Sequence, residues 1–370
     1  MSDLRAAVEA LPDTGTFVQK RYRSRLSADY ASTGAAYGSN IGLAGAATLS
    51  FSDMLGNKNL NVSLGIYGTL LDSDVFLQYA DLGRRTIRGV NVFQYRNDYY
   101  LGTRPNEDVF EAEIYRGAEL MLVRPISKYN RVEFGLGGVA IGHKVFSQSY
   151  YDNNQTTLNS SATYFYVEPS AAYVHDTAVY GGTGPLDGAR TRLEVSHAQG
   201  GLEFTNFILD QRSYHNIGGR FCLAWRALVA SSAGAEPRIF RIGGPFTTRT
   251  ADYGDIDGSH VLLTNLEFRF PFIDRLSTTF PLPLDWPGIR GVFFFDTGAG
   301  WGHGRIGVNR TFTPFRGGNG LALNDLTAAY GFGLRMNMGF LVLRYDIAQP
   351  TNLKEDLGKA WKFFSIGYDF

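Results

Sequence analysis

The residues of this sequence best suited to chemistry are charges set at every second position of otherwise apolar, extended segments. Glu267 and Arg269 alternate with Leu266, Phe268 and Phe270, and Asp296 lies between Phe295 and Thr297 in Phe293-Phe-Phe-Asp-Thr-Gly298. Arg335 alternates with Leu334 and Met336, and Arg344 and Asp346 with Leu343, Tyr345 and Ile347. Successive side chains of a strand point to opposite faces, so these charges share one side of a sheet and the aromatics and aliphatics the other. Charges sheltered from bulk water are costly unless paired and hydrogen-bonded, and a bidentate Arg–carboxylate contact is the strong way to pair them. The chemistry on offer is binding and positioning by a lumenal cluster of Glu267, Arg269, Asp296, Arg335, Arg344 and Asp346.

Bond-making chemistry is poorly represented. Asp252, Asp255 and Asp257-Gly258 hint at a calcium loop, but Tyr253 and Thr264 would then occupy the first and twelfth places, where carboxylates are required. The histidines at 143, 175, 197, 215, 260 and 303 show no zinc spacing. Ser147, Ser149, His143 and Asp152 are a loop composition, and no nucleophile elbow, Walker loop or dinucleotide turn is present. The single Cys222 excludes an intramolecular disulfide framework. A formal net charge of zero leaves no basic footprint for nucleic acid. The sequence therefore predicts no enzyme, no metal, no cofactor and no nucleic-acid partner.

The elements that must position the charges are strands. Residues 3–10 are the one convincing helical stretch, bounded by Pro12, and residues 1–20 read as a leader or linker. From residue 21 to 370 the period is two, giving about sixteen strands. They are expected near 21–30, 41–52, 58–69, 72–82, 85–96, 111–124, 129–143, 161–174, 189–199, 203–215, 217–230, 260–270, 290–300, 326–338, 340–348 and 361–370. Long connections (97–110, 144–160, 231–259, 301–325, 349–360) tend to follow odd strands. Tight turns, such as 53–57 and 125–128, tend to follow even ones; 175–188 and 271–289 break the pattern. Long loops on one rim and short turns on the other suit an outer-membrane barrel. The last strand points Phe364, Ile366, Tyr368 and Phe370 to one face. Such a row is a hazard on an open sheet edge and an asset against lipid. The expected fold is all-β, a transmembrane antiparallel β-barrel integral to the bacterial outer membrane, with outer-membrane lipid around it.

Residues 238–258 form the most unusual connection, and they run into Thr264-Asn-Leu-Glu-Phe-Arg-Phe-Pro-Phe272, Phe293-Phe-Phe-Asp-Thr-Gly298, Gly331-Phe-Gly-Leu-Arg-Met-Asn337 and Leu343-Arg-Tyr-Asp346. This series resembles the BamA-like surface-antigen superfamily, which includes outer-membrane assembly factors and two-partner secretion transporters. The resemblance implies a long loop between strands 11 and 12 that folds into the lumen. An arginine in its Val-Arg-Gly-aromatic motif would pair with the aspartate of a Phe-x-Asp-x-Gly motif on strand 13. Arg249 matches the loop arginine and Asp296 the wall aspartate. Gly243 and Gly244 hold their places before the motif. Thr248 stands where Val is usual, Thr250 where Gly is, and Ala251 where the aromatic is, with Tyr253 two residues on. Read from the residues alone, the pairing of Arg249 with Asp296 also stands, with solvation of Arg249 and pairing with Glu267 or Asp346 as its alternatives. Tyr22-Arg-Ser-Arg-Leu-Ser-Ala-Asp-Tyr30, Phe51-Ser-Asp-Met-Leu-Gly-Asn57, Tyr173-Val-His-Asp-Thr177 and Gly184-Pro-Leu-Asp-Gly-Ala-Arg190 further resemble the subfamily whose barrel follows a periplasmic TolB-like β-propeller. That subfamily would place a signal peptide and propeller before this segment.

The resemblance implies a barrel for protein assembly or translocation, with a polypeptide as candidate substrate and a periplasmic domain or protein as partner. The alternatives are an anchor or docking barrel that moves nothing and a passive porin. An active barrel predicts few hydrogen bonds between the first and last strands, an anchor a zipped closure, and a porin a water path past residues 238–258.

Overall fold

The computed structural model describes residues 22–38, 42–66, 73–149, 156–278, 284–304, 309–316, 322–338 and 341–367. The expected helix at 3–10 lies outside them, as do Tyr368 and Phe370. Sixteen long strands build the wall: β1 Leu26–Gly38, β2 Gly42–Asp53, β3 Lys58–Ile66, β4 Asp74–Asp81, β5 Ile87–Arg104, β6 Glu107–Pro125, β7 Asn130–Ser149, β8 Thr156–Asp176, β9 Gly184–Gly200, β10 Phe204–Ile217, β11 Phe221–Gly234, β12 His260–Thr278, β13 Leu284–His303, β14 Thr327–Asn337, β15 Val342–Thr351 and β16 Trp361–Ile366. Each pairs antiparallel with the next, from β1–β2 to β15–β16. The sheet wraps round until β16 lies beside β1, yet among the described residues no backbone ladder joins the two.

The face pattern explains the curvature. On β12–β16 the inward positions Glu267, Asp296, Arg335, Asp346 and Phe363 are buried. The outward Leu266, Phe293, Tyr330 and Tyr345 are exposed, and Phe364 and Ile366 also lie on the outward register. Phe268, Phe270, Phe272, Phe293 and Phe332 stack with one another across β12–β14 outside the wall. Such a surface is stable against hydrocarbon, where only closed hydrogen-bonding leaves no backbone group unsatisfied.

Three expected loops are strand instead. Residues 97–110 continue β5 and β6 to a two-residue turn at Pro105–Asn106, where Asn106 takes a φ of 72°. β7 and β8 run through most of 144–160, and β12 and β13 through most of 271–289. In the first, Arg96, Asp98, Thr103 and Asp108 dilute the apolar alternation; cross-strand contacts such as Tyr100–Phe110 and Phe110–Phe146 hold the sheet together regardless. β12 carries Pro271 only at a register shift, where its missing N–H breaks no ladder bond. β1 begins five residues later than expected, at Leu26 rather than residue 21.

Candidate functional site: the lumenal loop and its wall

Between β11 and β12 the chain turns into the lumen. Phe240–Ile242 pairs antiparallel with Ile256–Gly258, so the loop is a hairpin rather than a loose strap. Gly243 and Gly244 close it at φ 133° and 82°. At Gly243 a Cβ would lie 1.9 Å from the Asp252 carbonyl oxygen, so the conformation and the space both require glycine. The Thr247 hydroxyl bridges the Gly243 N–H and C=O at 2.7 Å, and the Gly244 N–H donates to the Ala251 carbonyl at 2.9 Å. These bonds present residues 248–250 to the wall as a fixed tip.

The wall receives the tip on its own glycines. A Cβ on Gly298 would stand 2.9 Å from the Thr248 methyl, and one on Gly300 2.4 Å from the Asp257 carbonyl oxygen. Ile242 packs with Ala230, Val261 and Leu263, and Ile256 joins them. The Asn265 side chain donates to the Thr247 carbonyl at 2.8 Å. Thr250 meets Thr248 at 3.1 Å and accepts from Thr327 at 2.9 Å. The two threonines that depart from the family pattern are thus buried in a hydroxyl chain, whereas Tyr253 is exposed.

Arg249 is the centre of the site. Its backbone N–H and its Nε both donate to Asp296 Oδ2, at 3.0 and 2.7 Å, and its Nη2 donates to Asp296 Oδ1 at 2.9 Å. Nη2 also reaches Glu267 Oε1 at 2.8 Å, and Nη1 lies 3.5 Å from Asp346 Oδ1. The guanidinium stacks 3.5 Å from the Phe294 ring centre. The three carboxylates left open by the sequence are shared by one arginine. Burial works against its charge, and Asp296, Glu267 and Asp346 together outweigh that cost, holding the guanidinium well above its ordinary pKa. Around it, Arg269 bonds Glu267 Oε2 at 2.9 Å, Arg335 pairs with Asp346 at 2.8 Å, and Arg344 lies 3.7 Å from Asp346 and donates to the Pro245 carbonyl at 3.0 Å. All six cluster residues named from the sequence come together here.

The opposite side of the loop was not evident from its residues. Arg241, on the hairpin stem, pairs with Glu113 at 3.1 Å and Glu111 at 3.4 Å on β6, and stacks 3.2 Å over the Tyr99 ring of β5. The available signal was the two-residue spacing of Glu111 and Glu113 opposite an arginine two residues before Gly243. Cross-strand register adds His143 to these acids, and the three ligand atoms fall within 4.8 Å of one another. Arg241 already pairs with both carboxylates, so the trio reads as an ion-pair site. The loop also reaches the last wall strand: the Phe246 ring lies where a Cβ on Gly367 would meet it at 3.1 Å.

Comparison with known proteins accords with this architecture. Residues 55–370 match the Omp85 superfamily domain. The fold is similar to BamA from Haemophilus ducreyi lacking POTRA domains 1-3 (TM-score 0.65, 16% identity, 94% of this chain and 70% of that chain). It is also similar to CdiB from Escherichia coli (0.57, 12%, 94% and 67%) and CdiB from Acinetobacter baumannii (0.52, 14%, 90% and 58%). The chain therefore spans 58% to 70% of the length of these structures. No curated protein matches the sequence. These matches carry the superfamily and do not extend to the narrower propeller-linked group.

Proposed function

The chain belongs to the Omp85 superfamily, and we propose that its barrel is held shut by the lumenal hairpin, with Arg249 as a latch on Asp296 whose release opens a path for a polypeptide. Omp85 membership makes it an integral outer-membrane barrel of the translocation and assembly type and not an enzyme. The observation that carries the finer reading is the threefold attachment of Arg249 to one buried carboxylate, through its backbone N–H and the Nε–Nη2 edge of its guanidinium. A bidentate pair fixes orientation as well as distance, and the added backbone bond fixes the loop's register on the wall. Breaking such a pair leaves a buried charge without its partner, which makes the closed state sharply defined.

A second feature supports an opening barrel over a sealed anchor. Among the described residues β1 and β16 share no ladder, and Phe246 of the hairpin lies against Gly367 just beyond β16. Displacing the hairpin would therefore remove support from the strand at the seam. A periplasmic domain or partner would deliver the polypeptide to the short-turn rim.

Conductance in planar bilayers tests this reading. The unmodified barrel is expected to conduct little, and Arg249→Ala to show large, flickering openings. Silence in both identifies a sealed anchor, and a steady pore in both identifies a porin.

A further inference from the structure

The connection between β8 and β9 behaves unlike the other turns on its rim. Met54 and Leu55, in the turn after β2, are 82% and 58% exposed, and Ile126, in the turn after β6, is 55% exposed. By contrast Thr183, Gly184 and Pro185 are buried, at and just after the tip of a short hairpin whose first leg, Val179–Gly181, pairs with the start of β9 and leaves Val179 and Tyr180 exposed. Its base explains the direction it takes. Gly188 adopts a φ of 89°, and a Cβ there would lie 2.2 Å from the Thr177 carbonyl oxygen, so the two legs pinch together. The Asp176 carboxylate accepts from the Ala178 N–H at 3.1 Å, and Thr177 and Ala189 exchange hydroxyl–backbone bonds at 3.0 and 3.2 Å.

From this base the hairpin reaches strands well round the barrel. Leu186 and Ala178 pack on Tyr214, Cys222 and Ala224 of β10 and β11. The Arg269 Nη1 of β12 donates to the Pro185 carbonyl at 2.9 Å, and the Asn337 amide of β14 donates to the Gly182 carbonyl. All of these wall residues lie on the inward register, so the segment crosses the lumen instead of standing off the rim.

We propose that residues 177–188 are a second closing element, entering from the short-turn rim, and that Arg269 is the positioning residue that ties it to the charge cluster holding the Arg249 hairpin. The tie rests on the latch reading above and runs through Glu267, whose two oxygens are divided. Oε1 receives Arg249 at 2.8 Å and Oε2 receives Arg269 at 2.9 Å, and Arg269 in turn holds Pro185. One buried carboxylate thus joins a segment from each rim. Pulling either away leaves one oxygen of the buried Glu267 without its arginine, so each segment favours the closed position of the other. The occupant of the opened path is the polypeptide of the proposed function, and the device adds a gate on the side from which that chain would arrive.

The experiment reads the position of the hairpin directly. In the full chain with Cys222→Ala, a Thr183→Cys reporter is treated with a bulky, membrane-impermeant maleimide in proteoliposomes open to both faces. The parent is expected to label slowly. Arg269→Gln is expected to accelerate labelling at least tenfold, Arg269→Lys to stay near the parent because it retains a donor for Pro185, and Arg249→Ala to accelerate it severalfold through Glu267. Heat-modifiable gel migration shows which variants hold a folded barrel; should Arg269→Gln not fold, Asn337→Ala cuts the second tie and is expected to accelerate labelling likewise. Rapid labelling of the parent, or an unchanged rate when the ties are cut, overturns the proposal. Acceleration by Arg269→Gln without any response to Arg249→Ala overturns the coupling. Failure of the latch reading is separate: it shows as silence of Arg249→Ala in the bilayer, whatever the labelling rates.

Discussion

Two arginines fasten the same hairpin to opposite sides of the barrel, and they do so by different physics. Arg249 at the tip is 2% exposed and meets Asp296 through three hydrogen bonds, with Glu267 and Asp346 beside it. Arg241 on the stem is 8% exposed, and it reaches Glu113 and Glu111 at 3.1 and 3.4 Å through the same Nη2 atom, with its face over the ring of Tyr99. The first arrangement specifies direction, register and distance. The second attracts and fills space but tolerates sliding, since both of its carboxylate contacts run through one Nη2 atom instead of a bidentate fork. The hairpin is therefore locked at its tip and cushioned at its stem. A segment that must leave the lumen and return benefits from that division, because one contact defines the closed state while the other guides the hairpin along the opposite wall.

That contrast can be broken from either end. The largest effect is expected for Asp296→Ala, which removes the bidentate partner of Arg249 and its backbone acceptor. Losing one partner of a buried pair costs about 3–5 kcal/mol, and protease cleavage within residues 243–255 of the folded barrel should rise accordingly. Next is Gly298→Leu, where even the first added carbon lies 2.9 Å from Thr248. Overpacking of this kind costs about 1–3 kcal/mol, and it should raise bilayer conductance while leaving the wall's gel migration unchanged. Arg249→Lys should fall between parent and Arg249→Ala, because it keeps the charge and gives up the fork, and single-channel open times measure the difference. The smallest effect is expected for Arg241→Ala, about 0.5–2 kcal/mol from the lost stacking and ion pairing. Its signature is more frequent brief openings with the tip latch intact. A larger effect from Arg241→Ala than from Arg249→Ala would invert the comparison.

The wall was legible in the sequence. Period-two alternation forces Glu267, Asp296, Arg335 and Asp346 onto one face, and the apolar residues between them leave lipid as the natural surface for the other. The long strand extensions were not legible. Beyond the bilayer a strand has no apolar face to keep, so Arg96 to Asp108 look like loop although the ladder continues through them. The stem contacts and the inward β8–β9 hairpin were hidden by distance in the chain. Arg241 meets Glu113 across 128 residues, and Asn337 meets Gly182 across 155, partners that only the closed curvature of the sheet selects. Arg249 fell between these cases: resemblance pointed to Asp296, the residues alone left Glu267 and Asp346 open, and the structure places all three around it.

A disulfide trap between tip and wall tests the central claim most directly. Thr248→Cys and Gly298→Cys, in a chain carrying Cys222→Ala and Arg249→Ala, bring two thiols together, because the Thr248 methyl, where a cysteine would carry its sulfur, lies 2.9 Å from a Cβ on Gly298. The bond is expected to form on mild oxidation, the oxidised barrel to be silent in the bilayer despite the missing arginine, and reductant to release large, flickering openings. Failure of the bond to form in a folded barrel, or conductance that is the same before and after reduction, would contradict a lumen closed by this hairpin.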